Sequence, residues 1–373
     1  MPSNPLLTLK SLGQSVWLDY IQRNMLDDGT VARLIEQDGL AGMTSNPVIF
    51  KKAITEHDDY DKTIAILARR GASTVDIYDR LVLEDVRHAA DLFRPVYEGT
   101  DGRDGFVSLE VSPRLAYDAD DTVSEGKRLW AALDRPNVMI KVPATREGLA
   151  AIERLIAAGV NVNVTLLFGL RRYDEVIQAF MSGLEKRIAT GQPVESMASV
   201  ASFFVSRIDT LVDSLLDKLI RSDAGEDPRP LRGRAAIACA RLAYQDFKAQ
   251  YCDARWQALA SRNARPQRLL WASTGTKDPA YSDVKYVEGL IGPDTVITLP
   301  PETLNAYREH GRPQFSLEHD LNAVRALPAQ LSELSINLDD ISQRLEEEGV
   351  QKFVDAHDEL LATLDRRRTE LAA

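Results

Sequence analysis

The sequence has 373 residues, 44% of them hydrophobic and 27% charged, with 21 glycines and 17 prolines; this near-average globular composition excludes a chain dominated by disorder and can fill one large core or two ordinary ones. Its 56 acidic residues outnumber the 45 basic ones, a net charge of -11 with no long basic run, so nucleic acid is excluded as an expected partner and any phosphate site must be local. No stretch nears the roughly 18 apolar residues of a spanning helix, and "MPSNPLLTLKSLGQS" lacks the apolar centre of a signal peptide, so a soluble, cytoplasmic protein without a membrane partner is expected.

In chain order, apolar runs bounded by Gly, Pro and Asn predict strands at "SVWLDY" (15 to 20), "LAGMTSN" (40 to 46), "GFVSLEVSP" (105 to 113), "NVMIKVPA" (137 to 144), "VNVNVTLLF" (160 to 168), "MASVASFFVS" (197 to 206), "RLLWAST" (268 to 274) and "DTVITLPP" (294 to 301). Helical patterns follow each, among them "TREGLAAIERLIAAG" and "RRYDEVIQAFMSGLEKRIATG", the second closed by Gly191. Eight alternating strand and helix units predict a parallel sheet closed on itself, an α/β fold of the (β/α)8 TIM-barrel type with additional flanking and C-terminal helices. The segment after the sixth strand is too long for one helix, and Pro228 with Pro230 divides it. The expected organisation is a catalytic barrel over residues 1–315 and a helical extension over 316–373 packed on it, which is not a second enzyme domain. Cys239 and Cys252 lie 13 residues apart, on different faces of a helical pattern, and read as buried small hydrophobes with no disulfide between them.

Strand side chains alternate between faces, so residues two apart share a destination. In "VNVNVT" the valines at 160, 162 and 164 occupy one side and Asn161, Asn163 and Thr165 the other. The outer face of a barrel packs on apolar helices, so the polar side points inward. The same alternation places Met139 and Lys141 inside. Asp19 pairs in parity with Trp17, Asn46 with Thr44, Glu110 with Ser108 and Ser112, Ser202 with Phe204, and Ser273 with Trp271. Each lies toward the C-terminal end of its strand, where barrel enzymes carry their chemistry.

A lone strand lysine can be half of a structural ion pair, with Asp19 or Glu110 as the other half. Three ionisable groups with several amides and hydroxyls at one mouth favour catalysis instead. A desolvated lysine amine attacks a ketone or aldehyde to form a Schiff base, which serves as an electron sink for breaking a carbon–carbon bond. Two carboxylates on different strands supply the proton transfers, and Asn46 and Asn163 can hold sugar hydroxyls. No metal and no cofactor are required. His57, His88, His310, His319 and His357 fall outside the predicted strands, and "DAHDEL" around His357 reads as a solvated helix face.

These residues resemble a known family. "MTSNP" at 43 to 47, "SLEVSPRLAYD" at 108 to 118, "IKVPAT" at 140 to 145, "NVNVTLLF" at 161 to 168 and "SFFVSRIDT" at 202 to 210 look like transaldolase, in that family's order, over roughly residues 15 to 312. The resemblance implies a cofactor-independent, Schiff-base-forming transferase of the non-oxidative pentose phosphate pathway. It would move a dihydroxyacetone unit from sedoheptulose 7-phosphate or fructose 6-phosphate to glyceraldehyde 3-phosphate or erythrose 4-phosphate. Carried over, Lys141 matches the Schiff-base lysine, Asp19 the acid/base on the cleaved hydroxyl, and Glu110 the carboxylate that works through a bound water. Asn46, Asn163, Thr165, Ser202 and Phe204 match the pocket lining, and Arg207 a phosphate-binding arginine. The chain departs from the family's pattern at the seventh strand, where "WASTGTKDPAYSD" lacks a second phosphate-binding arginine; Lys277, with Ser273 nearby, is expected in its place. It departs again at "LDYIQR", where many relatives have threonine and glycine after the aspartate. The length and the "STGTKDPAYSD" run look most like the longer bacterial-type subgroup. Expected partners are small-molecule sugar phosphates, with a homodimer as an open option. The readings competing with a transferase are a fructose 6-phosphate aldolase-type lyase and an inactive sugar-phosphate-binding barrel.

Overall fold

In the computed structural model, which describes residues 4–222 and 227–372, the chain folds into parallel strands β1 (Gln14–Asp19), β2 (Gly42–Thr44), β3 (Phe106–Glu110), β4 (Val138–Pro143), β5 (Val162–Leu167), β6 (Ser199–Phe204), β7 (Arg268–Ala272) and β8 (Thr295–Leu299). They pair in sequence order, and β8 pairs with β1 to close the barrel. Each strand lies within one of the expected runs, apart from Gln14, which extends the first by one residue. The helices form an outer layer, so the middle strands are buried on both faces, with apolar residues such as Val138, Ile140, Val142, Val162 and Val164 turned to the helices.

The lower end of the barrel is plugged. Arg268 reaches in from β7 to donate to Ser15 Oγ and to Asp104 Oδ1, each at 2.9 Å, and the Trp17 indole donates to the same Asp104 oxygen at 3.3 Å. Trp17 fits inside because β2 carries glycine opposite it: a Cβ on Gly42 would stand 2.6 Å from the indole. Inward alternation therefore holds on β1, with Ser15, Trp17 and Asp19 sharing the interior.

On β7 the expectation needs correction. Arg268 points in, so Trp271 points out, and its ring meets Phe203 edge-on at 6.3 Å on the outer face. Ser273 thus does not reach the mouth by sharing a face with Trp271. It sits past the strand end in the left-handed region, at φ 56°, and this reversal turns it back over the barrel.

The long segment after β6 divides into helices Ser206–Ser222, Ala235–Gln250 and Ala254–Ala260, with a tight 3-10 turn at Arg229–Leu231 where the two prolines stand. Residues 223–226 within it lie outside the described residues. The extension after residue 316 folds as Leu321–Glu333 and the long helix Leu338–Ala372. The latter buries Ile341, Leu345, Val350, Phe353, Leu360 and Leu364 along one stripe, against helices Pro47–Thr55, Asp61–Arg69, Thr74–Gly99 and Ser206–Ser222 and against β5. Gly349 makes the approach close: a Cβ there would lie 2.9 Å from the Leu166 side chain and 3.4 Å from the Arg207 guanidinium. Two further expectations are overturned. His357 is buried, with Tyr78 edge-on at 5.3 Å, because the helix turns that face onto Thr74–Gly99. Cys239 is buried, but Cys252 follows the helix end and is exposed.

Candidate active site

Lys141 lies on β4, paired in register with Glu110 of β3 on one side and Asn163 of β5 on the other. Its side chain is inside the barrel and only 4% exposed. Nζ donates to the Ser45 carbonyl at 3.0 Å and stands 3.6 Å from Glu110 Oε2. The 3.6 Å separation makes the Glu110 contact an ion pair and not a hydrogen bond. Neither Glu110 oxygen has a hydrogen-bond partner among the described residues, nor has Thr165 Oγ1, one strand beyond Lys141.

The two carboxylates are tuned by competing effects. Burial pushes the Glu110 carboxyl up to about 7, against the pull of the Lys141 ammonium. Burial also raises the Asp19 carboxyl above its ordinary value, opposed by Lys141 and by a hydrogen bond from Thr44. That bond is 2.6 Å long, and Thr44 Oγ1 lies 2.8 Å from Thr298 Oγ1. The Thr44 proton is committed to Asp19, so Thr298 is the donor in the second contact, and a hydroxyl relay fixes the Asp19 carboxylate.

The raised Glu110 value makes stability depend on pH. The unfolded chain gives up this proton near 4.5 and the folded chain near 7. The stabilisation is therefore present below 4.5 and lost as pH rises through 7, a change on the order of 3 kcal/mol. Glu110→Gln keeps a neutral side chain throughout. Urea unfolding at pH 5 and pH 8 should show the unmodified chain losing on the order of 2–3 kcal/mol more than the variant over that interval; parallel behaviour would contradict the assigned environment.

Above the lysine is a cavity of about 290 Å³ whose lining includes Asp19, Asn46, Lys141, Ser202, Phe204, Arg207, Ser273 and Lys277. Asn46 is also the N-cap of helix Pro47–Thr55, its Oδ1 accepting from the Ile49 amide at 3.0 Å. Ser273 lies 3.0 Å from Ser206, hydroxyl to hydroxyl. Asn163, Thr165 and Glu110 do not reach this cavity's surface. The Asn163 amide, in register with Lys141, donates to Ser108 Oγ at 2.9 Å and accepts from Ser202 Oγ at 2.6 Å. It buttresses the lysine's surroundings and, fully buried, does not face the cavity.

The upper wall is cationic. The Arg207 guanidinium stacks over Phe204 and Phe353, at 5.3 and 5.9 Å from the ring centres. With it stand Lys277 and Lys352, and none of the three has an acidic partner within salt-bridge distance among the described residues. Their mutual repulsion is felt: Arg207, then burial, then Lys277 lower the Lys352 ammonium below its ordinary value. Such a cluster suits a doubly charged phosphate, bidentate on the arginine and point-charged on the lysines. Lys352 and Phe353 come from the C-terminal helix and were not expected from the sequence; Ser45, Thr44 and Thr298 were missed as well. Only the i, i+4 apolar stripe announced that helix, and a periodicity cannot say which barrel end it crosses.

The profile of the family described as Transaldolase/Fructose-6-phosphate aldolase matches residues 16–364. The chain belongs to this family. Among similar curated proteins of the transaldolase family, the Transaldolase of Thermobifida fusca is 48% identical over 99% of both chains. That of Frankia alni is 47% identical over 97% of both, and that of Trichodesmium erythraeum 42% identical over 100% of this chain and 99% of its own. The family match runs through Lys352 and Phe353 to Leu364 in the last helix.

If the cationic wall grips phosphate, Arg207→Ala should raise KM for phosphorylated ketoses by about 10- to 100-fold with a smaller change in kcat, from ~1.5–3 kcal/mol for a charged hydrogen bond. Steady-state kinetics with fructose 6-phosphate checks this, and an unchanged KM would remove Arg207 from the phosphate site.

Proposed function

We propose that this chain is a transaldolase that carries a dihydroxyacetone unit on Lys141. It takes the unit from sedoheptulose 7-phosphate or fructose 6-phosphate and gives it to glyceraldehyde 3-phosphate or erythrose 4-phosphate, within the non-oxidative pentose phosphate pathway of the cytoplasm. The observation that carries this reading is the buried Lys141 amine, 3.6 Å from Glu110 and in one cavity with Asp19, below a wall of three cations without acidic partners among the described residues.

The phosphate docks on Arg207, Lys277 and Lys352, which places the ketose carbonyl toward Lys141. Nζ adds to that carbon; Glu110, acting through water, protonates the carbinolamine oxygen, and one water leaves as the imine forms. Asp19 takes the proton of the hydroxyl on the far carbon of the bond that breaks, so that this carbon becomes the aldehyde. The carbon–carbon bond then breaks, its electrons move into the imine, and the aldose phosphate departs. The enamine waits on Lys141 for an acceptor aldehyde. Asn46, Ser202 and Ser273 contact the sugar's hydroxyls, while Asn163 and Thr165 stand beside the lysine on β5. Residues 316–373 act with the barrel of residues 1–315 as one catalytic unit, since their helix contributes part of the phosphate grip.

The test is an assay of fructose 6-phosphate with and without erythrose 4-phosphate. A transaldolase releases glyceraldehyde 3-phosphate over many turnovers only when the acceptor is present. Sustained release without acceptor, accompanied by free dihydroxyacetone, would make the chain a lyase. No release in either case would make it a binding barrel.

A further inference from the structure

The carboxylate paired with Lys141 belongs to a second cavity. Glu110 does not line the mouth, but it lines a cleft of about 580 Å³ on the other side of β3, together with Val75, Tyr78, Arg128, His357 and Leu361. Glu110 is the last residue of its strand, so the cleft reaches it over the strand's end and beneath the C-terminal helix, without crossing the sheet. The outer rim is open to solvent: Val75 is 56% exposed, and the Arg128 side chain 45%. At the inner end both Glu110 oxygens lack a hydrogen-bond partner among the described residues, and His357 Nδ1, on the cleft wall, lacks one as well. A buried carboxylate with both oxygens unmatched is a poor structural element and a good water-binding one.

The chemistry has a use for such a route. Imine formation converts the ketose carbonyl and the Lys141 amine into a C=N bond and one water, and hydrolysis after transfer takes one water back. No other co-reactant enters. At both moments a sugar phosphate fills the mouth, between the barrel rim and the Lys352 and Phe353 roof. Resting on the transaldolase reading, we propose that the cleft behind Glu110 is the rear passage by which this water leaves and returns, with Glu110 at its inner end. The passage lets the water exchange with bulk at those two moments, while a sugar phosphate occupies the mouth.

Oxygen labelling tests it. The donor is fructose 6-phosphate carrying ¹⁸O at its carbonyl carbon, the acceptor is erythrose 4-phosphate at saturation, and the readout is the fraction of ¹⁸O retained in the product ketose per turnover. With an open passage the unmodified chain exchanges its label and retention is low. Val75→Trp and Leu361→Trp, on rim positions outside the mouth, lay an indole across the cleft; retention should rise severalfold in both while turnover continues. Leu361→Ala, which widens the rim, should keep it low. Retention is counted per molecule converted, so partial loss of folded protein does not affect it. Unchanged retention in both tryptophan variants, or near-complete retention in the unmodified chain, would overturn the rear passage and leave the transferase assignment standing. Absence of acceptor-dependent turnover in the unmodified chain would sink the transaldolase reading and this inference with it.

Discussion

Lys141→Ala should reduce turnover to background and leave a folded barrel. Every step of the proposed reaction passes through an N–C bond to this amine, and no other lysine stands beside a buried carboxylate pair inside the described barrel. Removing one partner of a buried pair ordinarily costs about 3–5 kcal/mol because the other charge is stranded. Here the stranded group is Glu110, whose carboxyl already holds its proton up to about 7, so it becomes neutral at little cost. The remaining penalty is the lost packing of the lysine stem, on the order of 2 kcal/mol, against a core that fills an eight-stranded barrel. Borohydride reduction with fructose 6-phosphate should attach one sugar to the unmodified chain at Lys141 and none to the variant. Circular dichroism should superimpose. Residual turnover in a folded Lys141→Ala protein would falsify the covalent mechanism.

Asp19→Asn should separate imine formation from bond breaking. The amide oxygen can still accept the Thr44 hydroxyl that now bonds to the carboxylate at 2.6 Å, so the rim keeps its shape. It cannot take the proton of the sugar hydroxyl, and loss of a positioned general base typically costs about 10²–10⁴-fold in kcat. Because Asp19 acts after the imine, borohydride should still trap the ketose on Lys141, and kcat and kcat/KM should fall together. If trapping vanished along with turnover, Asp19 would belong to imine formation and the roles of the two carboxylates would have to be exchanged.

The barrel was legible because eight parallel strands under a helical coat must be apolar at least on their outer face, and such runs stand out between Gly, Pro and Asn. Alternation then placed Lys141, Asp19 and Glu110 together without coordinates. It failed at Ser273, since strand parity ends with the strand and a single left-handed residue reverses the chain. It also could not see how Asn163 is used: facing inward is a property of the strand, whereas being consumed by Ser108 and Ser202 is a property of three strands in register. Arg207 and Lys277 came from the family resemblance, and the structure places both on the mouth. Lys352 and Phe353 could not be foreseen, because a helix far along the sequence carries no mark of where it docks.

That docking includes Gly349, where the last helix comes close to both the end of β5 and the Arg207 guanidinium. The anion grip is therefore shared between the barrel, which supplies Arg207 and Lys277, and the last helix, which supplies Lys352. A phosphorylated sugar is thus gripped from two distant parts of the sequence at once, and loss of Lys352 alone would weaken the hold that Arg207 and Lys277 keep.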